Sequence, residues 1–190
     1  MNLLMNSFGM NLREPDEMIL SVMEHHANII PWHHLRNKNG IKLNFIDIDS
    51  DFRLDMNQLK ETMNKNTKLV SLTHASNVLG TVNPVKEISK LAHDNGSAFA
   101  IDGAQSTPHM KIDVQDIDCD FFAFSGHKML GPMNMGVLYG KKKLLEKMDP
   151  FMFGSDMIKE VTLDGATWND VPWKFEAGTP NVEGAVGLSA

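Results

Sequence analysis

The stretch SAFAIDGAQSTPHMKIDVQDIDCDFFAFSGHK, residues 97–128, decides the fold, because it contains two apolar strands joined by a polar segment. SAFAID (97–102) and DFFAFS (120–125) are almost continuously apolar, which is typical of strands that are buried on both faces of a parallel sheet. Each strand ends in polar residues, DGAQ after the first and SGHK after the second. The stretch therefore predicts an α/β protein with a site at the carboxyl ends of its strands.

The same rhythm of apolar strands and amphipathic helices extends along the chain. Helices are expected over DMNQLKETMN (55–64), which begins at an Asp55 cap, and PVKEISKLAHDNG (84–96), which starts with proline and stops at glycine. The fold class is α/β, a mostly parallel sheet flanked by helices. The further strands are predicted at MILSVM (18–23), IKLNFIDI (41–48), TKLVSLTH (67–74) and MGVLYG (135–140).

Composition narrows the function classes. The 190 residues are 42% hydrophobic and carry a net charge of −6, enough for one core and without a basic face for nucleic acid. The triplet KKK (141–143) is expected to open a solvated helix. No apolar run is long enough to cross a membrane and the amino terminus lacks the features of a cleavable signal, so we predict a soluble cytoplasmic protein.

Cysteine and histidine usage does not favour metal chemistry. Cys119 is the only cysteine, which excludes an intramolecular disulfide, and its place beside a buried strand indicates an inert core thiol. The pairs His25-His26 and His33-His34 do not have metalloprotease spacing. We interpret four histidines as surface or satisfied residues without functional partners: His33, His34, His93 and His109.

Polar segments follow four predicted strands, so they are expected to meet at one sheet edge. Asp102 and Lys128 stand out among them. Asp102 is either a helix cap or a buried carboxylate that needs a cationic partner, and Lys128 is either a surface lysine or a nucleophilic amine. Together they are the two groups that pyridoxal phosphate requires, a Schiff-base lysine and a carboxylate for the ring nitrogen. The four segments are EHHAN (24–28), HASNVLGTVNP (74–84), DGAQS (102–106) and SGHK (125–128).

The other polar residues at this edge suit the rest of such a cofactor. His25 or His26 could stack on the ring and act as an acid or base, although a capping role is equally open. Ser125 and His127 could hold phosphate oxygens. Gln105 and Asn77 are further hydrogen-bond donors, and Asn77 is alternatively a turn residue.

The carboxyl-terminal part differs from the rest of the chain in composition and periodicity. Residues 150–181 are rich in glycine, proline and tryptophan and show neither helical nor strand periodicity, so an irregular segment at a site or an interface is expected. VEGAVGLSA (182–190) is helix-like. Both ends of the sequence resemble the interior of a longer domain.

Several motifs together resemble the SufS-type (group II) cysteine desulfurase/selenocysteine lyase branch of the class V aminotransferase-like enzymes, whose fold is the fold-type I pyridoxal phosphate architecture. The resemblance covers nearly all 190 residues, and EHHANIIPW and FSGHK separate this branch from the NifS/IscS-like desulfurases. The motifs are MEHHANIIPW (23–32), THASNVLGTVNPVKEI (73–88), IDGAQSTPHMKIDVQDIDCDFFAFSGHKMLGP (101–132) and WKFEAGTPN (173–181).

The resemblance implies a role for each site residue. Lys128 would form the Schiff base with pyridoxal 5'-phosphate, while Asp102 would bond the pyridine nitrogen and Gln105 the phenolic oxygen. His25 would stack on the ring and Asn77 would orient cofactor and substrate. The residues implied as phosphate ligands are Ser125, His127 and, toward the partner subunit of a homodimer, Thr179.

The implied activity converts L-cysteine, or L-selenocysteine, to L-alanine and passes the sulfur through an enzyme persulfide to an acceptor protein for iron–sulfur cluster assembly. Residues 1–190 would be part of the cofactor-binding large domain, with 150–190 at the active site or dimer interface. The family's catalytic cysteine and substrate-binding arginine belong to a carboxyl-terminal small domain that these residues do not match. The alternatives are an inactive truncated fragment and another class V lyase or aminotransferase.

Two local departures from the family pattern bear on loop geometry. FGSDMI (153–158) lacks a glycine-rich run, and GPMNMG (131–136) has asparagine where relatives have other turn residues. Asn134 tolerates a positive φ better than most residues, so the second turn is expected to survive.

Overall fold

A computed structural model describes all 190 residues, and its centre is a six-stranded sheet. The strand order is β2-β1-β3-β4-β5-β6, and all neighbours run parallel except β5 and β6, which are antiparallel. The predicted α/β class and mostly parallel sheet are confirmed. The strands are β1 (Glu17–Ser21), β2 (Lys42–Ile46), β3 (Thr67–Thr73), β4 (Ala98–Asp102), β5 (Phe121–Ser125) and β6 (Gly136–Gly140).

The helices connect the strands. α3 begins at the Asp55 cap, whose carboxylate accepts the backbone N–H groups of Asn57 and Gln58, as the sequence predicted. α4 starts directly after Pro84, and α6 starts within the KKK triplet. The helices are α1 (Asn2–Ser7), α2 (Ile30–Asn39), α3 (Met56–Thr62), α4 (Val85–Asp94), α5 (Val114–Ile117), α6 (Lys142–Leu145) and α7 (Val182–Ser189).

Apolar side chains cover both faces of the sheet, because successive strand residues point to opposite sides. Ile19 on β1 belongs to the cluster beneath α3 and α4, with Leu59 and Ile88. Its neighbours Met18 and Leu20 belong to the opposite cluster, which includes Trp32 of α2. The strands are therefore packed on both faces.

The sheet changes winding direction between β1 and β3. The chain passes from β1 outward to β2 and then returns to β3 on the other side of β1. In open α/β sheets the crevice for ligands opens at this point, beyond the carboxyl ends of the strands.

The segment after Pro150 is more regular than predicted. It contains the antiparallel hairpin β7 (Ile158–Val161) and β8 (Ala166–Trp168), followed by the expected helix α7. The expectation of an irregular segment over 150–181 was wrong at this hairpin. The hairpin is mostly exposed on both faces, so its sequence does not show the alternation that reveals a half-buried strand.

Two other local expectations are decided by the structure. Asn134 has φ 63°, so it adopts the left-handed conformation foreseen for it. His93 was interpreted as a surface or satisfied histidine, and it is satisfied by a partner that the sequence did not indicate, because its Nε2 lies 2.8 Å from the carboxylate of Asp120. Asp120 also receives the Phe99 backbone N–H and pairs with Lys141 at 3.1 Å, so the cluster joins α4, β4 and β6 at the amino-terminal ends of the strands.

None of the helices combines the length and the apolarity that crossing a membrane requires.

Candidate active site

A cavity of about 940 Å³ opens at the carboxyl ends of β1, β3, β4 and β5. It lies at the change of winding direction, where the topology places a ligand crevice. Seven of the eight residues predicted for the site line it, and the second candidate histidine, His26, lines it as well. The seven are His25, Asn77, Asp102, Gln105, Ser125, His127 and Lys128.

Thr179 is the predicted residue that does not line this cavity. It is exposed on the bend before α7. α7 nevertheless approaches the lysine turn, because a Cβ added to Gly126 would lie 3.1 Å from a methyl carbon of Leu188. α7 therefore packs close to the lysine turn, whereas Thr179 is exposed and lies outside the cavity lining.

Asp102 occupies the last position of β4 and is 8% exposed. Its Oδ1 accepts the backbone N–H of Ala104 at 3.0 Å, so it does cap the following turn, as the simpler interpretation predicted. None of the ion pairs in the structure involves it. The buried amino group of Met1, a residue that also lines the cavity, attracts its charge without forming an ion pair. A buried carboxylate without a direct ion pair is costly, so Asp102 is suited to pair with a cationic group in the cavity.

Lys128 stands on the short 3-10 helix Gly126–Met129 that follows β5. It is half-buried, it lines the cavity, and its Nζ takes part in no hydrogen bond or ion pair within the chain. The turn ends at Leu130, which has φ 65°. The geometry presents a primary amine without a partner to the cavity, at the end of the strand that pairs with the Asp102 strand.

His25 ends the chain segment that leaves β1. Its Nδ1 accepts the backbone N–H of Ala27 at 3.2 Å, which assigns the proton of the neutral ring to Nε2. The rings of His25 and His26 lie 4.0 Å apart between centroids. His25 therefore caps the following turn and also lines the cavity, as the two interpretations of this residue predicted. The hydrogen bond to Ala27 holds its ring in the cavity wall.

Glu24 is a buried residue that the sequence reasoning passed over. It is 8% exposed, its Oε1 lies 2.5 Å from the Ser21 hydroxyl, and its Oε2 accepts the side-chain N–H of Asn28 at 2.8 Å. Burial raises its pKa to about 7 against the hydrogen bonds that lower it. The spacing of Ser21, Glu24, Asn28 and Trp32, each three or four residues apart, was the available signal.

Two other candidates are unsuited to chemistry in the cavity. Cys119 is fully buried, and burial raises the pKa of its thiol to about 11, so the prediction of an inert core thiol agrees with its surroundings. His74 follows β3 but does not line the cavity. Its Nδ1 is buried without a hydrogen-bond partner, and burial lowers its pKa.

Gly103, the residue after Asp102, is required by close packing. A Cβ at this position would lie 2.1 Å from the Phe122 ring. We expect Gly103→Ala to lower the free energy of unfolding by about 3 kcal/mol, the upper end of overpacking costs, as measured by urea denaturation. Gly165→Ala is the matched control, since nothing lies within 4 Å of its added Cβ. Equal stability of the two variants would contradict the packing described for the Asp102 turn.

A lysine and a carboxylate that line one cavity at the strand ends of an α/β sheet are the groups that pyridoxal phosphate enzymes of the open-sheet type use. The sequence profile described as "Aminotransferase class-V" matches residues 1–190. The chain therefore belongs to the class V aminotransferase family, which is a family of pyridoxal phosphate enzymes.

Relatives of known name agree with this assignment. The chain is 53% identical over 190 residues to a probable cysteine desulfurase of Halalkalibacterium halodurans and 49% identical over 191 residues to a cysteine desulfurase of Haloferax volcanii. These alignments cover 100% of this chain, but 47% and 45% of the two relatives. The chain spans about half the length of the curated relatives it matches.

Solved structures have the same architecture. The cysteine desulfurase CsdA from Escherichia coli superposes with a TM-score of 0.97 at 41% identity, over 99% of this chain and 47% of that one. The apo cysteine desulfurase from Thermococcus onnurineus superposes with a TM-score of 0.94 at 40% identity, over 99% and 47%. The predicted relation to cysteine desulfurases and the fold-type I architecture are confirmed.

The cavity fits the cofactor of the family. Its volume of about 940 Å³ exceeds what a small aromatic phosphate needs, and its lining includes an amine with no partner and a buried carboxylate with no ion pair. Ser125 and His127 lie beside the amine, where they can donate to phosphate oxygens.

Proposed function

We propose that this chain is the cofactor-binding part of a SufS-type cysteine desulfurase, which converts L-cysteine to L-alanine and supplies the sulfur for iron–sulfur clusters. The observation that supports it most is that Lys128 and Asp102, at the ends of the neighbouring strands β5 and β4, line one cavity. The names of relatives at about 50% identity support the cysteine substrate. Selenocysteine is the second substrate we propose.

Pyridoxal phosphate, when bound, withdraws electrons from the Cα of the amino acid attached to it. In this proposal each residue of the cavity has its own role. Lys128 would hold the cofactor covalently through Nζ, and the same amine would take and return the Cα proton of the substrate. Asp102 would accept the N–H of the ring nitrogen and so favour its protonated form.

The remaining cavity residues bind and orient the cofactor in this proposal. His25 packs on the ring face, and its Nε2–H is available to a substrate group. Gln105 donates to the ring oxygen, and Asn77, exposed at the cavity edge, orients cofactor and substrate. Ser125 and His127 hold the phosphate.

The sulfur must leave to a nucleophile that this chain does not provide. Cys119 is fully buried, lies outside the cavity, and has a pKa raised to about 11, so it cannot present a thiolate there. We therefore propose that the accepting cysteine and the arginine for the substrate carboxylate lie outside residues 1–190, and that a sulfur-acceptor protein follows. The irregular parts of 150–190, with Thr179, we assign to an interface with a second copy, in a cytoplasmic homodimer.

The experiment that tests this function adds pyridoxal phosphate to the purified chain and then supplies L-cysteine. We expect a saturable visible absorbance band from the lysine-bound cofactor and almost no alanine, because the cavity contains the amine and the carboxylate that the cofactor needs and lacks a cysteine to accept the sulfur. Absence of the band would contradict the proposed function. Rapid alanine production would instead show that residues within this chain accept the sulfur.

A further inference from the structure

The turn that carries Lys128 has a conformation that its own side chains do not secure. Its closure depends on the carbonyl oxygen of Gly126, which accepts the backbone N–H groups of Leu130 and of Gly131, the latter at 2.9 Å. Leu130 has φ 65°, in the left-handed region that a leucine enters only at an energetic cost. The Leu130 side chain is fully exposed, so it adds no packing that would offset this cost. Stabilisation of the closed turn therefore comes from another part of the chain.

One face of α7 lies against the loop that follows this turn. Gly184, Gly187 and Leu188 are three and four residues apart, so they share this face. A Cβ added to Gly184 would lie 2.7 Å from Cγ of Met135, and one added to Gly187 would lie 2.7 Å from Cγ of Pro132. Glycine at both positions therefore lets the helix backbone approach the loop closely.

Leu188 is the residue of α7 that reaches the lysine turn itself. Its Cδ1 methyl carbon lies 3.1 Å from a Cβ built on Gly126 and 2.6 Å from a Cβ built on Gly131. These two glycines are the acceptor and a donor of the hydrogen bonds that close the turn, and Lys128 lies between them in the chain. A single methyl group thus packs over both ends of the turn. Leu188 is half-buried, whereas Val186 on the same helix is 62% exposed.

We propose that Leu188 is a positioning residue for Lys128. Its packing keeps the turn of residues 126–131 closed, and the closed turn presents the Lys128 amine to the cavity. The inference rests on the proposed function, because the role of Lys128 as the cofactor anchor belongs to that proposal. When the Leu188 side chain is removed, the turn opens in a larger fraction of the molecules, and only the closed fraction binds the cofactor.

Hydrogen exchange of the cofactor-free chain measures the closure of the turn directly. The Gly131 N–H donates to Gly126, so its exchange rate reports opening. Leu188→Ala should raise this rate about tenfold, because the variant loses the packing of a half-buried leucine. Val186→Ala is the matched control and should stay within about twofold of the wild type, because its side chain is exposed. Equal Gly131 rates in the wild type and in Leu188→Ala would overturn the inference.

A core amide separates opening of the turn from a loss of global stability. Val70 lies in the buried strand β3, and its N–H should exchange at the wild-type rate in Leu188→Ala. If Val70 and Gly131 accelerate by the same factor, Leu188 stabilises the whole fold and does not position the turn. Leu188→Met keeps an apolar side chain of similar volume and should restore the slow exchange of Gly131.

A double variant tests whether Leu188 acts through the glycine that it contacts. Gly126→Ala places a methyl group against the Leu188 side chain and should speed the exchange of Gly131. In Gly126→Ala combined with Leu188→Ala the added methyl group occupies part of the vacated space, so the double variant should exchange more slowly than the two single effects together predict. Additive effects would contradict the contact on which the inference depends.

Pyridoxal phosphate connects the turn to the cavity. Because only the closed turn binds it, saturating cofactor should slow the exchange of Gly131 in the wild-type chain. Leu188→Ala should raise the dissociation constant of the cofactor about threefold, less than its effect on exchange, because affinity falls only with the loss of the closed fraction. Leu188→Met and Val186→Ala should keep the wild-type constant. An unchanged constant in Leu188→Ala, or Gly131 exchange that bound cofactor does not slow, would show that the turn does not position Lys128.

A wild-type chain that binds no cofactor would contradict the proposed function instead. The acetylation rate of Lys128 by acetic anhydride, read by mass spectrometry in the cofactor-free chain, then decides the inference. Opening of the turn exposes the half-buried amine, so Lys128 should react faster in Leu188→Ala than in the wild type or in Val186→Ala. Equal acetylation rates in the three chains would make the inference wrong.

Discussion

Replacing Lys128 by alanine is expected to abolish the visible absorbance band that pyridoxal phosphate produces with the wild-type chain. The band depends on a covalent bond to an amine, and Lys128 provides the lysine Nζ that lines the cavity. Because the alanine variant removes a half-buried side chain without ion-pair or hydrogen-bond partners, the fold should be retained. Absorbance titration, with circular dichroism as the check on folding, measures the effect.

The matched control is Lys143→Ala. Lys143 lies on α6, is exposed, and forms no ion pair, so its removal should leave the band at wild-type intensity. A band of equal intensity in both variants would show that the cofactor reacts with lysines other than Lys128.

Asp102→Asn is expected to raise the dissociation constant of pyridoxal phosphate by roughly 10- to 100-fold. Asparagine is nearly isosteric and can still accept from the Ala104 backbone N–H, but it cannot supply the negative charge that stabilises a protonated ring nitrogen. A hydrogen bond to a charged group contributes about 1.5–3 kcal/mol, which corresponds to this range. Equilibrium titration of the cofactor-free chain gives the constant.

Asp164→Asn serves as the control for the same chemical change at an exposed position. Asp164 lies in the turn between β7 and β8, far along the chain from the cavity residues. We expect its dissociation constant to equal that of the wild type. If Asp102→Asn also stays within about threefold of the wild type, Asp102 does not hold the ring nitrogen.

Local chemistry made much of the fold predictable. The apolar runs that become β3, β4 and β5 are buried from both sides, so their continuous hydrophobicity was a direct consequence of their position. Asp55 and Pro84 marked the starts of α3 and α4 because capping and proline geometry act within one turn. Features that depend on a few neighbouring residues, such as helix caps, can therefore be predicted from the sequence.

The direction of β6 and the presence of the β7–β8 hairpin were not predicted. The strand MGVLYG reads the same whether it runs parallel or antiparallel to β5, since either pairing buries it similarly. The hairpin has no buried face, so no periodicity marks it. These features depend on which chain segments meet in space.

The site residues also divide into those that local sequence predicts and those that only the tertiary structure brings together. The residues at the strand ends were predictable because parallel strands bring their carboxyl ends to one edge. Glu24 was overlooked because EHHAN reads as a solvated polar run, whereas Ser21, Asn28 and the turn of the chain enclose its carboxyl group. The pairing of His93 with Asp120 joins residues 27 positions apart, and only the tertiary structure creates it.

The most direct test of the central claim, that Lys128 anchors the cofactor in this cavity, is borohydride reduction of the chain with bound pyridoxal phosphate, followed by proteolysis and mass spectrometry. Reduction makes the bond to the amine permanent, so the modified residue can be read from the fragments. We expect the cofactor adduct on Lys128 alone. An adduct on other lysines, such as the exposed Lys142 and Lys143, with Lys128 unmodified, would contradict the claim.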